Sequence, residues 1–336
     1  MRAITFSGII GCLLFTSCSN DTEIKDMEPD AVLEQSQKFN LVSAGEVPFE
    51  IKAKLTDNDE SLKTTQSPGV DRGRFNITLK YVVEVGARQK EVFEAAAARW
   101  ERIIIKDVPS ITGTIPSAFA GFPPVSTGTI DDIIIEVVIA PIDGPGRILG
   151  QAGPRYVRTA DGLPLSGVMY FDIDDLDFLD ELDLFEDVIV HEMGHVLGVG
   201  TLWNYNRTLR QGPTTNPYFT GKMANVFWKA EGGVDYLPVE NQGGAGTAGG
   251  HWRESLLRNE LMTGYINLGA NPLSRITAGS MRDLGYGTAA VGEQYELIRG
   301  TPGVDINELA KSGLGNGINI AEMEILLEPV GIVTVE

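Results

Sequence analysis

Apolar positions along the chain change their spacing several times, and each change marks an element. Residues 19 to about 70 show no period: acids are frequent, with Asp21, Glu23, Asp26, Glu28 and Asp30 early and Asp57, Asp59 and Glu60 later. Such a segment buries too little to offset its ordering entropy and reads as a tether, with room for a short prosegment around residues 47–55. Order is predicted to begin near Arg74. Phe75, Ile77, Leu79, Tyr81 and Val83 alternate with Asn76, Thr78 and Lys80, the period of two expected of a strand. Val92, Phe93, Ala96, Trp100, Ile103 and Ile104 then recur at helical spacing. Residues 133–140 are nearly continuously apolar and β-branched, as in a strand buried on both faces. A Gly/Pro turn at residues 143–146 leads into a candidate edge strand, 147–157, and residues 167–173 form a further strand. A helix is predicted over about 183–197. This strand-helix-strand-strand-strand-helix order predicts an α/β layered arrangement. Glycine and proline crowd residues 212–250, so loops should dominate there, and one more helix is expected within 273–284.

Charge and the N-terminus narrow the partners. The chain has 336 residues, enough for one or two domains, and a formal net charge of −19. That balance argues against a nucleic-acid partner. Arg2, an apolar run over residues 3–15 and the small Thr16 and Ser17 have the shape of a secretory signal peptide over residues 1–17. Leu14-Phe15-Thr16-Ser17-Cys18 resembles a bacterial lipobox, in which Cys18 becomes the lipidated first residue. The expectation is an exported protein, lipid-anchored to a bacterial membrane at the outer membrane or cell surface. Cys12 would leave with the signal, so the mature chain would hold one cysteine and no internal disulfide. No other stretch reaches the roughly 18 to 20 apolar residues that span a bilayer.

The candidate chemistry lies on the helix over 183–197. His191-Glu192-Met193-Gly194-His195 is HExxH, and residues i and i+4 share a helix face, so both imidazoles can reach one ion. Glu192 is offset by about a quarter turn, beside the ion. Zinc in such a site lowers the pKa of its water to near 7, and a carboxylate can take the proton and pass it to a leaving amine. The chain has only three histidines, and two of them fall at this spacing, which makes coincidence a weak explanation. A catalytic zinc takes a third protein ligand. Thr201 occupies the position where a compact HExxHxxGxxH site would place it, and the one remaining histidine is His251, beyond a glycine-rich stretch.

His191 to Gly198 (HEMGHVLG), a long insertion, then His251-Trp252-Arg253-Glu254 and Glu260-Leu261-Met262 resemble the leishmanolysin-like metzincins; residues 273–277 and 283–286 are similar to that family's closing helix. The resemblance covers roughly residues 74–290. It implies an α/β (α+β) metzincin-like fold: a twisted mixed β-sheet with an antiparallel edge strand, an active-site helix and a loop-rich C-terminal subdomain. It further implies His191, His195 and His251 as ligands of one catalytic Zn²⁺, Glu192 as general base and Met262 as the Met-turn residue beneath the metal. Protein or peptide substrates would pair with the edge strand, here Ile148 to Gly153 with Leu149, Gly150, Gln151 and Ala152 at its centre. Tyr265, one residue past the position where some metzincins carry a tyrosine, is a further substrate-binding candidate. Two features of the protozoan members, dense disulfides and a prosegment cysteine over the zinc, are missing here, so a thiol switch is excluded if Cys18 is lipidated.

The domain reading is therefore a signal peptide (1–17), a tether with a short prosegment (18–70), an N-terminal catalytic subdomain with the zinc helix (71–200), a C-terminal subdomain with third ligand and Met-turn (201–290), and an extension (291–336) forming an extra strand layer or small appended element. The chain is expected to be monomeric. Acids from Asp172 to Asp187 admit a structural Ca²⁺ site, although a solvated loop favouring the N-terminal end of the zinc helix explains them better. The sequons at Asn76 and Asn206 read as incidental, and Trp203, Trp228 and Trp252 as packing residues. The alternatives in function are a gluzincin-type metallohydrolase, for which Glu231 is poorly placed as third ligand, and a surface lipoprotein of this fold that serves mainly as a binding or adhesion module.

Overall fold

The computed structural model describes residues 39–45, 47–56, 73–244, 247–297 and 318–336. The expected signal peptide, Cys18 and tether residues 18–38 and 57–70 lie outside them. The first half runs β1 (Phe49–Leu55), β2 (Ile77–Tyr81), α1 (Ala87–Ile103), β3 (Ile104–Lys106), β4 (Ile111–Thr112), β5 (Thr129–Ile130) and β6 (Ile133–Ile139). It continues with β7 (Gly150–Arg158), β8 (Pro164–Phe171), α2 (Ile173–Glu181) and α3 (Phe185–Leu197). Beyond the zinc helix come β9 (Arg210–Gln211), β10 (Tyr218–Phe219), α4 (Lys222–Ala230), β11 (Leu237–Pro238), α5 (Glu254–Leu257), α6 (Arg275–Leu284) and β12 (Gly287–Thr288). The last strands are β13 (Glu324–Leu326) and β14 (Gly331–Val335).

One large sheet carries the fold, in the order β2-β6-β8-β7-β14-β1-β4-β5, with β13 also paired to β7. β6 is buried along its whole length and runs parallel to β2 and β8, with Ile135 opposite Gly167. β7 then reverses direction against β8, Ala152 facing Met169. The antiparallel strand implied by the resemblance is thus in place. Its outer side is already paired, however, by β13 and β14 of the C-terminal extension.

Helices α1 and α3 pack together on the sheet around a large core that includes Phe93, Trp100, Ile135, Phe171 and Val196. The indole N–H of Trp100 donates to the Val190 carbonyl at 2.9 Å, fixing α1 against the zinc helix. Trp203, Trp228 and Trp252 are fully buried, so they pack as expected. Asn76 is buried too, and its amide donates to Asp132 and Asp131, which takes it away from any surface role.

Two expectations need correction. Residues 49–55, read as part of a tether with room for a short prosegment, form a sheet strand that pairs Phe49 through Ala53 with Gly331 through Val335. That partner comes from the far end of the chain, so no local periodicity announces the strand. Helix α4 forms within residues 212–250, where loops otherwise dominate as expected. The acids from Asp172 to Asp187 do not converge on a cation. Among the described residues none of them joins a group of three within metal-ligand reach. Asp172 instead caps α2 by accepting from Asp174 N, and its other oxygen accepts from the backbone N–H of Ile142, Asp143 and Gly144 at 2.9 to 3.0 Å. Asp175 accepts from Gly146 at 2.7 Å. These carboxylates replace a cation as the organiser of the loop entering β7.

Burial opposes ionisation of Asp172, but four backbone N–H groups outweigh it and hold its carboxyl below the ordinary aspartate range. A depressed carboxyl contributes stability that is present above the unfolded-state pKa of about 3.9 and is lost as pH falls through the lower folded value. Asp172→Ala should therefore lower the unfolding free energy by about 1–3 kcal/mol at neutral pH, because it orphans buried amides. Denaturant titrations of both proteins should show this gap narrowing as the pH drops below about 4.

Candidate metal centre

Helix α3 carries the HExxH residues where the sheet and α1 bury them completely; His191, Glu192, His195 and His251 are all inaccessible to solvent. The Nε2 atoms of His191 and His195 lie 3.0 Å apart, and those of His191 and His251 lie 3.3 Å apart. Each ring turns its other nitrogen to a backbone carbonyl: Nδ1 of His191 to Leu261 at 2.7 Å, of His195 to Val199 at 2.8 Å, of His251 to Thr247 at 3.1 Å. A carbonyl only accepts, so each Nδ1 carries a proton, and each ring in its neutral form presents a lone pair at Nε2. Three lone pairs thus face one another in a dry pocket.

The local backbone explains how they arrive there. α3 ends at Gly198, whose φ of 114° turns the chain out of the helix, and Gly200 at φ 75° turns it again. A Cβ on Gly200 would lie 2.1 Å from the Gly250 carbonyl oxygen. Only glycine lets the turn after α3 lie against the turn that delivers His251, while Val199 between the two turns offers its carbonyl to His195. The insertion folds as a small β9-β10-β11 sheet with α4 behind it. Trp203 stacks on Trp252 with ring centroids 4.6 Å apart, and the Trp252 indole donates to Thr277 on α6, so the residue after His251 is clamped on both sides.

Below the site, Gly194 sits over Met262. A Cβ there would approach the Met262 sulfur to 2.7 Å and the Trp100 ring to 2.8 Å. The Met262 thioether therefore packs beneath the helix. Glu260, unremarked by sequence beyond its place in the motif, holds this turn. Its fully buried carboxylate accepts from Met262 N at 2.7 Å and from the Ser274 and Thr277 hydroxyls at 2.7 and 2.5 Å, tying the turn to the start of α6.

A fourth group completes the cluster, and it is one the sequence did not indicate. Glu324 of β13 is buried with its Oε1 2.7 Å from His251 Nε2 and its Oε2 3.4 and 3.6 Å from His191 and His195 Nε2. Together the four form a group able to hold a metal ion. The geometry supports such an ion. Acceptors that face acceptors in a dry pocket repel unless a cation lies among them. Tetrahedral ligands bonded to zinc at roughly 2.0–2.1 Å sit roughly 3.3 Å apart, and the nitrogen separations of 3.0 and 3.3 Å match that edge. Glu192 is outside the group of four but in contact with its Glu324 carboxylate. Neither of its buried oxygens accepts a hydrogen bond from a protein donor, and burial, then the neighbouring Glu324 charge, pushes its carboxyl well above the ordinary range.

The sequence profile of the leishmanolysin peptidases, family M8, matches residues 106–298, more than half of the chain. The chain belongs to the leishmanolysin family. A leishmanolysin homolog from Crithidia fasciculata is 28% identical over 113 residues, an alignment that covers 31% of this chain and 17% of that protein. The chain thus matches only a small part of that relative. Within the family match lie all three histidines, Glu192, Gly194 and Met262; Glu324 lies beyond its end.

The other candidates fall elsewhere. Glu231, the ligand a gluzincin-type site would need, is bonded to Arg275. Leu149, Gly150 and Ala152 lie on β7 or at its start with their free side occupied: Leu149 N donates to Met323 O at 2.7 Å, and Leu327 N donates to Ala152 O at 2.8 Å. Gln151 pairs with Ile325. Tyr265 is half-buried, its hydroxyl pKa raised by burial and by Glu322, Glu254 and Glu240. Asp107, Asp131 and Asp132 form a second acidic group, in which Asp132 accepts from the backbone N–H of Val108 and Asn76.

Replacing Gly194 with alanine tests the packing beneath the metal. The new methyl has no room against Met262 and Trp100, so Gly194→Ala should cost about 1–3 kcal/mol of stability. A metal titration of the variant should show weaker binding than the parent even though every ligand remains.

Proposed function

We propose that this leishmanolysin-family protein is a zinc-dependent endopeptidase that hydrolyses peptide bonds in proteins, with His191, His195 and His251 holding the ion and Glu192 as general base. The observation that carries this reading is the convergence of three Nε2 lone pairs, each backed by a carbonyl, beside one buried carboxylate without a protein donor. A zinc ion held by the histidines supplies Lewis acidity toward a water and a substrate carbonyl. Glu192 takes the proton of the attacking water and delivers it to the departing amine; burial raises its proton affinity toward the range such a shuttle needs. The Leu261, Val199 and Thr247 carbonyls hold the rings in the ligating tautomer throughout. β7 is the strand on which an extended substrate would pair, with Tyr265 beyond the Met-turn on the opposite side.

Neither rival function gains support. Glu231 is turned to Arg275, and a module kept only for binding has no use for an intact base and ligand set. Attachment through a lipidated Cys18 and display on a bacterial surface belong to the same proposal. No described helix is long and apolar enough to cross a membrane.

Two experiments test these readings. Purified protein should carry one zinc per chain. His251→Ala should lose it, and Glu192→Ala should keep it while casein hydrolysis falls by about 10²–10⁴-fold. Zinc retained in His251→Ala would remove the third ligand from the proposal. For the anchor, metabolic labelling with radioactive palmitate in a bacterial host should mark the protein, and Cys18→Ala should abolish the label; equal labelling of both would place any lipid elsewhere.

A further inference from the structure

We propose that Glu324 is a fourth protein ligand of the metal and that residues 318–327 lie in the substrate cleft as a built-in occupant, so the intact chain is latent. The proposal rests on the zinc-site reading above and adds to it a ligand and a regulatory state. Three independent observations converge. The Glu324 carboxylate stands 2.7 to 3.6 Å from all three ligating nitrogens, in the place where an open catalytic site would take water or a substrate carbonyl. The strand that carries it pairs in parallel with β7, Glu324 opposite Gly150 and Leu326 opposite Ala152, which consumes the hydrogen-bonding side a substrate would use. The same segment is fastened to the opposite wall. Ile318 and Ile266 exchange backbone hydrogen bonds at 2.8 and 3.0 Å, Ala321 N donates to Gly264 O, and the Thr247 hydroxyl donates to Ala321 O at 2.7 Å.

The occupant is not a substrate caught in place. What it offers the metal is a side-chain carboxylate. The preceding carbonyl, that of Met323, is turned away to accept from Leu149 N and Gly150 N. The carbonyl next to Glu324 is therefore engaged by β7 and not by the histidine cluster, and what the segment presents to that cluster is a carboxylate that Glu192 cannot help to hydrolyse. Downstream, β14 is built into the sheet between β7 and β1 with Val333 fully buried, so the occupant is anchored to the fold just beyond the cleft. A tethered ligand of this kind acts at high effective concentration, and substrate in solution must displace it.

The test reads the metal and the cleft separately. With cobalt(II) in place of zinc, Glu324→Gln should change the visible ligand-field spectrum of the protein, because a carboxylate leaves the coordination sphere. Glu324→Ala should speed zinc extraction by a chelator by at least about tenfold, since even outer-shell partners are worth 10–100-fold. Glu324→Ala combined with Leu327→Pro, which removes the amide donated to Ala152, should bind a peptide hydroxamate at least about tenfold more tightly than the intact zinc protein does, and should cleave casein at least about tenfold faster. An unchanged cobalt spectrum in the isosteric Glu324→Gln, which keeps the segment in place, overturns the ligand assignment even if the double variant fails to fold. Equal hydroxamate binding by intact and double-variant proteins overturns the latency. A double variant that gains hydroxamate binding yet cleaves nothing leaves Glu324 as ligand and occupant and removes the endopeptidase reading instead.

Discussion

Three imidazole lone pairs pointing at one another inside a dry core set the terms for the rest of the molecule. Unprotonated nitrogens 3.0 to 3.3 Å apart repel, and no water reaches them to relieve it. A metal among them would turn that repulsion into attraction and so couple its binding to completion of the fold. The three histidines come from α3 and from a bend beyond the insertion, and the fourth group, the Glu324 carboxylate, comes from β13. A single ion among them would tie together regions that already share one core, adding a direct link between their polar groups.

The surrounding polar groups are arranged to keep that geometry rigid. Leu261 O both orients His191 and belongs to the turn whose Met262 lies under Gly194, so ring tautomer and helix packing depend on the same few residues. Glu260 fixes that turn to α6. On the other flank Arg99 of α1 is shared among Asp187 on the first turn of α3 at 2.6 Å, Glu293 at 2.8 Å and the Asn271 carbonyl. Buried ion networks contribute little net stability. Their effect here is positional: they hold the helix that carries two ligands in register with the subdomain that carries the third.

How much of this could be read from the sequence depends on how local each interaction is. His191, Glu192 and His195 follow from helical spacing, and the strands β2, β6, β7 and β8 from periodicity within a few residues of the predicted bounds. His251 needed the scarcity of histidine and a family resemblance, since its spacing from His195 is set by an insertion with no pattern of its own. The carbonyl partners were out of reach because backbone groups carry no side-chain signal. β1 and β14 stabilise each other from opposite ends of the chain. The run Gly331-Ile332-Val333-Thr334-Val335 has strand composition that could have been recognised, but nothing in it names a partner. Glu324 was one acid among 46 acidic residues, and only the fold distinguishes it.

A peptidase that recognises extended chains by adding them to a sheet must keep a strand with unpaired N–H and C=O groups beside its metal. Such an edge is a hazard as well as a binding surface, because any extended segment, including one from another copy, can pair with it. Here the chain fills that edge itself, and the two parts of the filler are unequal. β14 is buried between β7 and β1 over several residues and is part of the sheet. β13 is held by three paired positions and by one carboxylate against the histidine cluster. The weaker of the two is the one that covers the catalytic groups. β13 could leave while β14 stays, which would expose residues 150–152 and the fourth metal position without dismantling the sheet. On the proposal above, latency and foldedness are thereby separated, and the Glu324 contact together with the few hydrogen bonds of residues 318–327 sets how readily substrate gains the cleft.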